Sequence, residues 1–88
     1  MRLIWAQQAW DDYLYWQEND RGMVLKINAL ILACKHDPFK GIGKPEPLKA
    51  TLLGWWSRRI TGENRFVYRV TGTSDAKALE IALCRYHY

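Results

Sequence analysis

The chain contains no stretch of about 18 apolar residues, so no segment reads as a membrane-spanning helix. The opening MRLIWAQQAW lacks the apolar stretch of a signal peptide, and the expectation is a cytoplasmic protein. Cysteine is scarce. Cys34 and Cys84 stand apart without metal-ligand spacing, and in a reducing compartment both read as small buried hydrophobes. Histidine is equally scarce: only His36 and His87 occur, and His36 is too far from any Cys or His cluster to suggest zinc. There is no Gly-rich phosphate loop of the P-loop kind, no Ser-His-Asp signature and no group of carboxylates suited to Mg²⁺. No cofactor is expected. Internal repeats and low-complexity tracts are also absent, and proline is confined to residues 38–47.

What remains is compact. A chain of 88 residues is too short for two separate cores, so residues 1–88 are expected to form one domain. A composition that is 49% hydrophobic and 25% charged belongs to folded globular proteins. Five Trp and five Tyr are many for this length, and large aromatic rings can close a thin core. The net charge of +4 favours an anionic partner such as nucleic acid. Its distribution is uneven. Residues 1–34 carry Arg2, Arg21 and Lys26 against Asp11, Asp12, Glu18 and Asp20. Residues 35–69 carry Lys35, Lys40, Lys44, Lys49, Arg58, Arg59, Arg65 and Arg69 against only Asp37, Glu46 and Glu63.

Arg2 to Trp5 reads as a short strand. From Ala6 to about Asn19, the apolar positions Trp10, Tyr13, Leu14 and Trp16 follow a helical period. The run ENDRG, with Asn19, Asp20 and Gly22 as breakers and caps, ends that helix. A second helix carries Met23, Ile27, Leu30 and Cys34 on one stripe with Val24 and Ile31 beside it. Asp37-Pro38 stops it, and DPFKGIGKPEPLK, residues 37–49, reads as a loop holding all three prolines. The period then switches to two. Trp56, Arg58 and Ile60 alternate with Trp55, Ser57, Arg59 and Thr61; after a turn at Gly62-Glu63-Asn64, Phe66, Tyr68 and Val70 alternate with Arg65, Val67 and Arg69. A last strand is expected from about Ala76 to Tyr86. The order β-α-α-β-β-β implies an α+β fold, a helical hairpin packed on one face of a mostly antiparallel sheet.

Three features carry chemistry. In KPEPLK, Pro45 and Pro47 flank Glu46, and the following proline drives Glu46 into an extended conformation. The segment is either a rigid solvated connector or a stiff mount for a carboxylate. Arg59 and Arg65 lie on adjacent strands of one hairpin, where guanidinium groups can bind phosphate bidentately. Alternatively, Arg58, Arg59, Arg65 and Arg69 form a solvated face or pair with Asp11, Asp12 and Glu18. The chain closes on RYHY, in which His87 can exchange a proton near neutral pH. That ending is either a polar tail, a cover for the core edge, or part of a site. Cleaving RNA without a metal needs a base, cations for the phosphorane-like transition state and an acid for the leaving group. The chain holds one candidate set for all three, and a non-catalytic ribosome-binding, RNA-binding or regulatory module stays open beside it.

RLIWAQQAWDDYLYWQENDRG at the start, GKPEPLK in the loop, WWSRRITGENRFVYRV through the hairpin and CRYHY at the end together resemble the YoeB toxins of the RelE superfamily. The resemblance runs from Arg2 to Tyr88 in one register. It implies a microbial-ribonuclease-like fold and a toxin of a type II toxin-antitoxin system that cuts mRNA in the ribosomal 30S A site. It also implies a YefM-type antitoxin that neutralises the toxin, operator DNA bound only through the joint complex, and homodimers. Carried onto this sequence, the family's general base falls on Glu46, its phosphate-stabilising arginine on Arg65 and its general acid on His87. Lys49, Arg59 and Tyr88 take substrate-positioning roles. Two departures stand out: Ile42 occupies a place where relatives often carry lysine, and the turn TGTSDAKA is longer than usual.

Overall fold

In the computed structural model, which describes residues 1–86, each change of period becomes a change of element. The strand β1 (Arg2–Trp5) leads into the helices α1 (Gln7–Asn19) and α2 (Arg21–His36). Four further strands follow: β2 (Glu46–Pro47), β3 (Trp56–Arg59), β4 (Arg65–Thr71) and β5 (Ala78–Leu83). The sheet runs in the order β1-β5-β4-β3-β2; β1 pairs with β5 in parallel, and the other pairs are antiparallel. This is the expected α+β arrangement with one extra edge strand.

A single residue joins the helices. The Asp20 N–H donates to the Trp16 carbonyl at 2.8 Å, closing α1, while its carboxylate accepts from Gly22 N at 3.0 Å, opening α2. Gly22 therefore sits inside α2 and is not the breaker its type suggested. The stripe of α2 buries Met23, Ile27, Leu30 and Cys34 against Phe66, Tyr68, Leu79, Ile81 and Cys84 of the sheet side. Asp37 caps α2 through its N–H to the Ala33 carbonyl, and Pro38 cannot extend the helix.

The long loop is more ordered than its composition implies. Because Glu46 is extended ahead of Pro47, the pair can lie along β3, with Glu46 opposite Ser57 and Pro47 opposite Trp56. An edge position suits Pro47, which has no N–H to offer a further strand. At Gly43 the backbone has φ +82° and runs so close to β3 that an added Cβ would lie 3.0 Å from the Arg59 carbonyl oxygen. The Arg59 N–H donates to the Gly43 carbonyl across that contact at 2.6 Å.

At the other end, β5 stops at Leu83, short of the expected Tyr86. A register shift between Val67 and Tyr68 interrupts its ladder with β4 just before the last pair, Val67 with Leu83. The long last turn folds into a short 3-10 turn at Ser74–Ala76, joining β5 to the end of β4 away from Arg65. Gly72 (φ +81°) makes it possible, since a Cβ there would collide with the Ala76 carbonyl oxygen.

Candidate active site

Strand alternation assigns the sheet two faces. Trp56, Arg58, Ile60, Phe66, Tyr68, Leu79 and Ile81 fall on the helix side. The register Glu46–Ser57–Val67–Leu83, and beside it Arg59–Arg65, falls on the other. One carboxylate and two guanidinium-bearing residues thus share the open face, with Glu46 diagonal to Arg59 across one strand boundary. Glu46 and Arg59 are exposed and Arg65 is half-buried. Lys49 is exposed two residues beyond β2, where the chain enters a 3-10 turn (Ala50–Leu52). Leu48, Ser57 and Val67 are buried beneath them. The Ser57 hydroxyl lies in this floor without a hydrogen-bond partner among the described residues.

The hairpin arginines divide into two pairs. Arg58 is wholly buried: its guanidinium donates to the carbonyls of Asp37 (2.7 Å), Lys40 (2.9 Å) and Ile42 (2.8 Å) and to the Tyr68 hydroxyl (3.1 Å). The Tyr68 hydroxyl in turn donates to the Pro38 carbonyl. This cation is the hub on which loop 37–42 folds, and it corrects the expectation of a solvated or carboxylate-paired Arg58. Ile42 contributes a backbone carbonyl to the hub while its side chain stays exposed, so a side-chain change from lysine leaves this scaffold untouched. Arg69 is neutralised by Glu80, at 2.9 Å through Nε and 2.8 Å through Nη2, and lies over the Trp55 ring.

Arg59 and Arg65 are left on the open face. Arg65 Nη1 donates to the carbonyls of Thr61 (3.0 Å) and Gly62 (3.3 Å), so the turn steadies the head of this side chain. A guanidinium carries five donors in a planar fork, and bidentate phosphate recognition can use the remaining nitrogens.

The chain end is secured residue by residue. Cys84 N–H donates to Asp12 Oδ2 at 3.0 Å, and the Cys84 carbonyl accepts from Trp16 Nε1 at 2.9 Å. The Arg85 guanidinium lies 3.3 Å from the centre of the Tyr15 ring. Tyr86, with φ 64°, donates its N–H to Asn64 Oδ1 at 2.7 Å and accepts from Arg65 N–H at 2.9 Å. Arg85 and Tyr86 thus form a bend and not the expected strand, and their backbone is led to Arg65. His87 and Tyr88 lie outside the described residues. Of the six candidate site residues, Glu46, Arg59 and Arg65 are brought together by strand register, and Lys49 follows two residues after β2.

Sequence reasoning missed Asp12, Trp16 and Asn64 as anchors of the chain end. It also missed the burial of Arg58, although the alternation that grouped Arg58 with Trp56 and Ile60 was a usable signal. A shallow concavity of about 160 Å³ lies between α2 and the Ile42-Gly43 stretch, lined by Lys26, Leu30, Arg59 and Ile60 among others but not by Glu46, Lys49 or Arg65. The candidate site lies on the sheet face away from the helices, where Glu46 and Arg59 are exposed above buried Ser57 and Val67.

Burial sets the ionisation of the neighbouring groups. It pushes Cys84 up to about 12, with the nearby Asp12 charge adding to the effect, and it raises Cys34 too, so both thiols stay protonated at neutral pH. Burial also pushes Tyr68 up to about 12 despite the opposing Arg58 hydrogen bond. Among the described residues, no group of three or more His, Cys, Asp or Glu could hold a metal ion.

Asp12 is raised as well: burial outweighs its bonds to Cys84 and Gln8 and the Arg85 charge. A carboxyl raised on folding costs stability that builds as pH rises from the ordinary carboxylate range, near 4, and is complete above its folded-state value. Asp12→Asn keeps an acceptor for Cys84 N–H and cannot ionise. The variant should therefore melt above the parent at pH 7, with the gap closing below about pH 4. Thermal unfolding across pH 3–8 reads this directly.

Residues 5–88 match the family model described as the YoeB-like toxin of bacterial type II toxin-antitoxin systems. The chain is 60% identical over 88 residues to Toxin YoeB of Escherichia coli (strain K12), covering 100% of each. Superposition on the YoeB/ParE toxin from Agrobacterium tumefaciens gives a TM-score of 0.98 at 56% identity, covering 100% of both chains. Two Staphylococcus aureus structures, a YoeB dimer and a heterotetrameric YoeB-YefM complex, are each 45% identical, with TM-scores of 0.86 and 0.87 and coverage of 100% of this chain and 98% of theirs.

Proposed function

The chain belongs to the YoeB-like toxins of bacterial type II toxin-antitoxin systems, and on that premise we propose that it is a ribosome-dependent endoribonuclease that cuts mRNA in the 30S A site and so arrests translation. The observation that carries this reading is the grouping of Glu46, Arg59 and Arg65 on one open sheet face, with Tyr86 tied to the Arg65 backbone immediately before His87.

Glu46 is the general base: it takes the proton of a 2′-hydroxyl, whose oxygen attacks the adjacent phosphorus. Arg65 neutralises the charge that builds on the phosphorane-like oxygens, and Arg59 and Lys49 hold the flanking phosphates. His87 donates its proton to the departing 5′-oxygen, with Tyr88 positioning the RNA. The products are a 2′,3′-cyclic phosphate and a free 5′-hydroxyl. As the bond from the 2′-oxygen to phosphorus forms and the bond to the 5′-oxygen breaks, the protein supplies only proton transfers and electrostatic contacts, and this reading calls for no metal ion.

The same reading gives the protein a YefM-type antitoxin as partner, as in the S. aureus YoeB-YefM complex, and a second copy of itself, as in the S. aureus YoeB dimer. With its antitoxin it acts as an operon corepressor that reaches operator DNA only through the joint complex. It works in the cytoplasm as one domain spanning residues 1–88.

Induction in cells without an antitoxin should halt growth, and joint substitution of Glu46 and His87 by alanine should restore it. Growth arrest that persists in the double variant would assign the toxicity to binding alone. Arg65→Ala should lose transition-state stabilisation of about 3 kcal/mol, a cleavage rate some 10²-fold lower. Single-turnover cleavage on programmed ribosomes measures the loss.

A further inference from the structure

We propose that Asp12 and Trp16 of α1 are positioning residues for the proposed reaction, clasping the Cys84 peptide so that the backbone of Tyr86 is held on Arg65. The inference rests on the role given above to His87.

The two side chains lie one helical turn apart on the same face of α1. One accepts the Cys84 N–H and the other donates to the Cys84 carbonyl, so both polar groups of the residue that follows β5 are taken up by a helix 68 and 72 positions earlier in the chain. Without those partners the residue would have to find them on β4, and the backbone would keep the strand direction. The clasp turns the chain instead. Arg85 then stacks on Tyr15, and Tyr86 enters the left-handed region with its N–H on Asn64 and its carbonyl on the Arg65 backbone. Three consecutive residues are each fixed by another element.

Stability alone does not account for Asp12. It is 2% exposed, and burial disfavours its charge, so an uncharged acceptor of the same shape would hold the same N–H at less expense. The carboxylate adds a long-range attraction for the Arg85 guanidinium, which an amide does not supply. The end of the chain is thereby drawn from two sides, by the hydrogen bonds to Cys84 and by the charge on Arg85. A proton donor must sit within hydrogen-bond reach of the leaving oxygen. Misplacement by about 1 Å can lower a rate on the order of 10²-fold, which makes this anchoring consequential for turnover.

The test uses the full-length protein and ribosomes programmed with a defined mRNA. Asp12→Ala should lower kcat about 10- to 100-fold with KM for the programmed ribosome unchanged, whereas Asp12→Asn, which keeps an acceptor for Cys84 N–H but loses the charge facing Arg85, should fall between Asp12→Ala and the parent. In a His87→Ala background, Asp12→Ala should produce no further loss, because the residue it positions is gone. Trp16→Phe keeps an aromatic ring but removes the N–H together with the five-membered part of the indole, and it should repeat the kcat pattern if Asp12→Ala folds poorly. Normal kcat in both Asp12→Ala and Trp16→Phe, alongside a slow His87→Ala, overturns the positioning role and leaves the proposed function standing. An equal loss with and without His87 also overturns it, by reducing Asp12 to a structural residue. Full activity of His87→Ala overturns the proposed function and the inference together.

Discussion

Glu46→Ala is expected to cut RNA on the ribosome about 10²–10⁴-fold more slowly than the parent, the usual loss when a positioned general base is removed. Ribosome binding should be nearly unchanged. Glu46 is exposed on a strand of only two residues, and truncating it leaves the Glu46–Ser57 and Pro47–Trp56 backbone register in place. The loss should therefore fall on kcat and not on KM. Glu46→Gln makes the sharper variant, since the amide keeps the shape and cannot accept the proton. A rate close to that of the parent for Glu46→Gln would mean that the carboxylate does not act as the base. Kinetics under saturating programmed ribosomes, with thermal unfolding as a folding control, distinguishes these outcomes.

Arg58→Met should be the most destabilising substitution in the hairpin. The guanidinium is fully buried and satisfies three loop carbonyls and the Tyr68 hydroxyl at once. Removing it leaves those acceptors inside the protein without a donor, at about 1–3 kcal/mol each before relaxation, so a net loss of about 3–5 kcal/mol is expected. For a domain of this size, that lowers the melting temperature on the order of 15–30 °C. Arg58→Lys should rescue little, because one ammonium on a flexible stem cannot span the carbonyls of Asp37, Lys40 and Ile42. Denaturant unfolding measures the difference through the midpoint, with the slope unchanged if only the native state is affected. Tyr68→Phe, which removes one member of the same network, should lose about 1–2 kcal/mol.

These two residues also mark what the sequence could and could not convey. The helical hairpin was legible because Met23, Ile27, Leu30 and Cys34 repeat at helical spacing, and the stripe is buried as that spacing requires. The β3-β4 hairpin was legible for the matching reason, a period of two on either side of a turn. Glu46 could be recognised as rigid but not placed. A two-residue strand between prolines has no period, and only its pairing with Ser57 puts the carboxylate on the face of Arg59 and Arg65. Arg58 was misread because its partners are loop carbonyls 16 to 21 positions away, and a carbonyl leaves no mark on the residue type that carries it.

The chain end was misread in a related way. The last strand was expected to continue to Tyr86. The tertiary bonds from Asp12 and Trp16 redirect it after Leu83, and no local pattern encodes a contact across 68 residues. Residue types and the family likeness named the candidate set. The register of short strands and the anchoring of the chain end determine how its described members are arranged.

The most direct measurement is the chemistry of the fragment ends. Translating ribosomes are incubated with the purified protein in excess chelator, and the 5′ termini of the mRNA fragments are characterised at nucleotide resolution. Acid–base cleavage by Glu46 and His87 predicts cuts at the A-site codon with 5′-hydroxyl ends and a 2′,3′-cyclic or 3′-phosphate upstream. The absence of cuts, or ends bearing a 5′-phosphate, would contradict it.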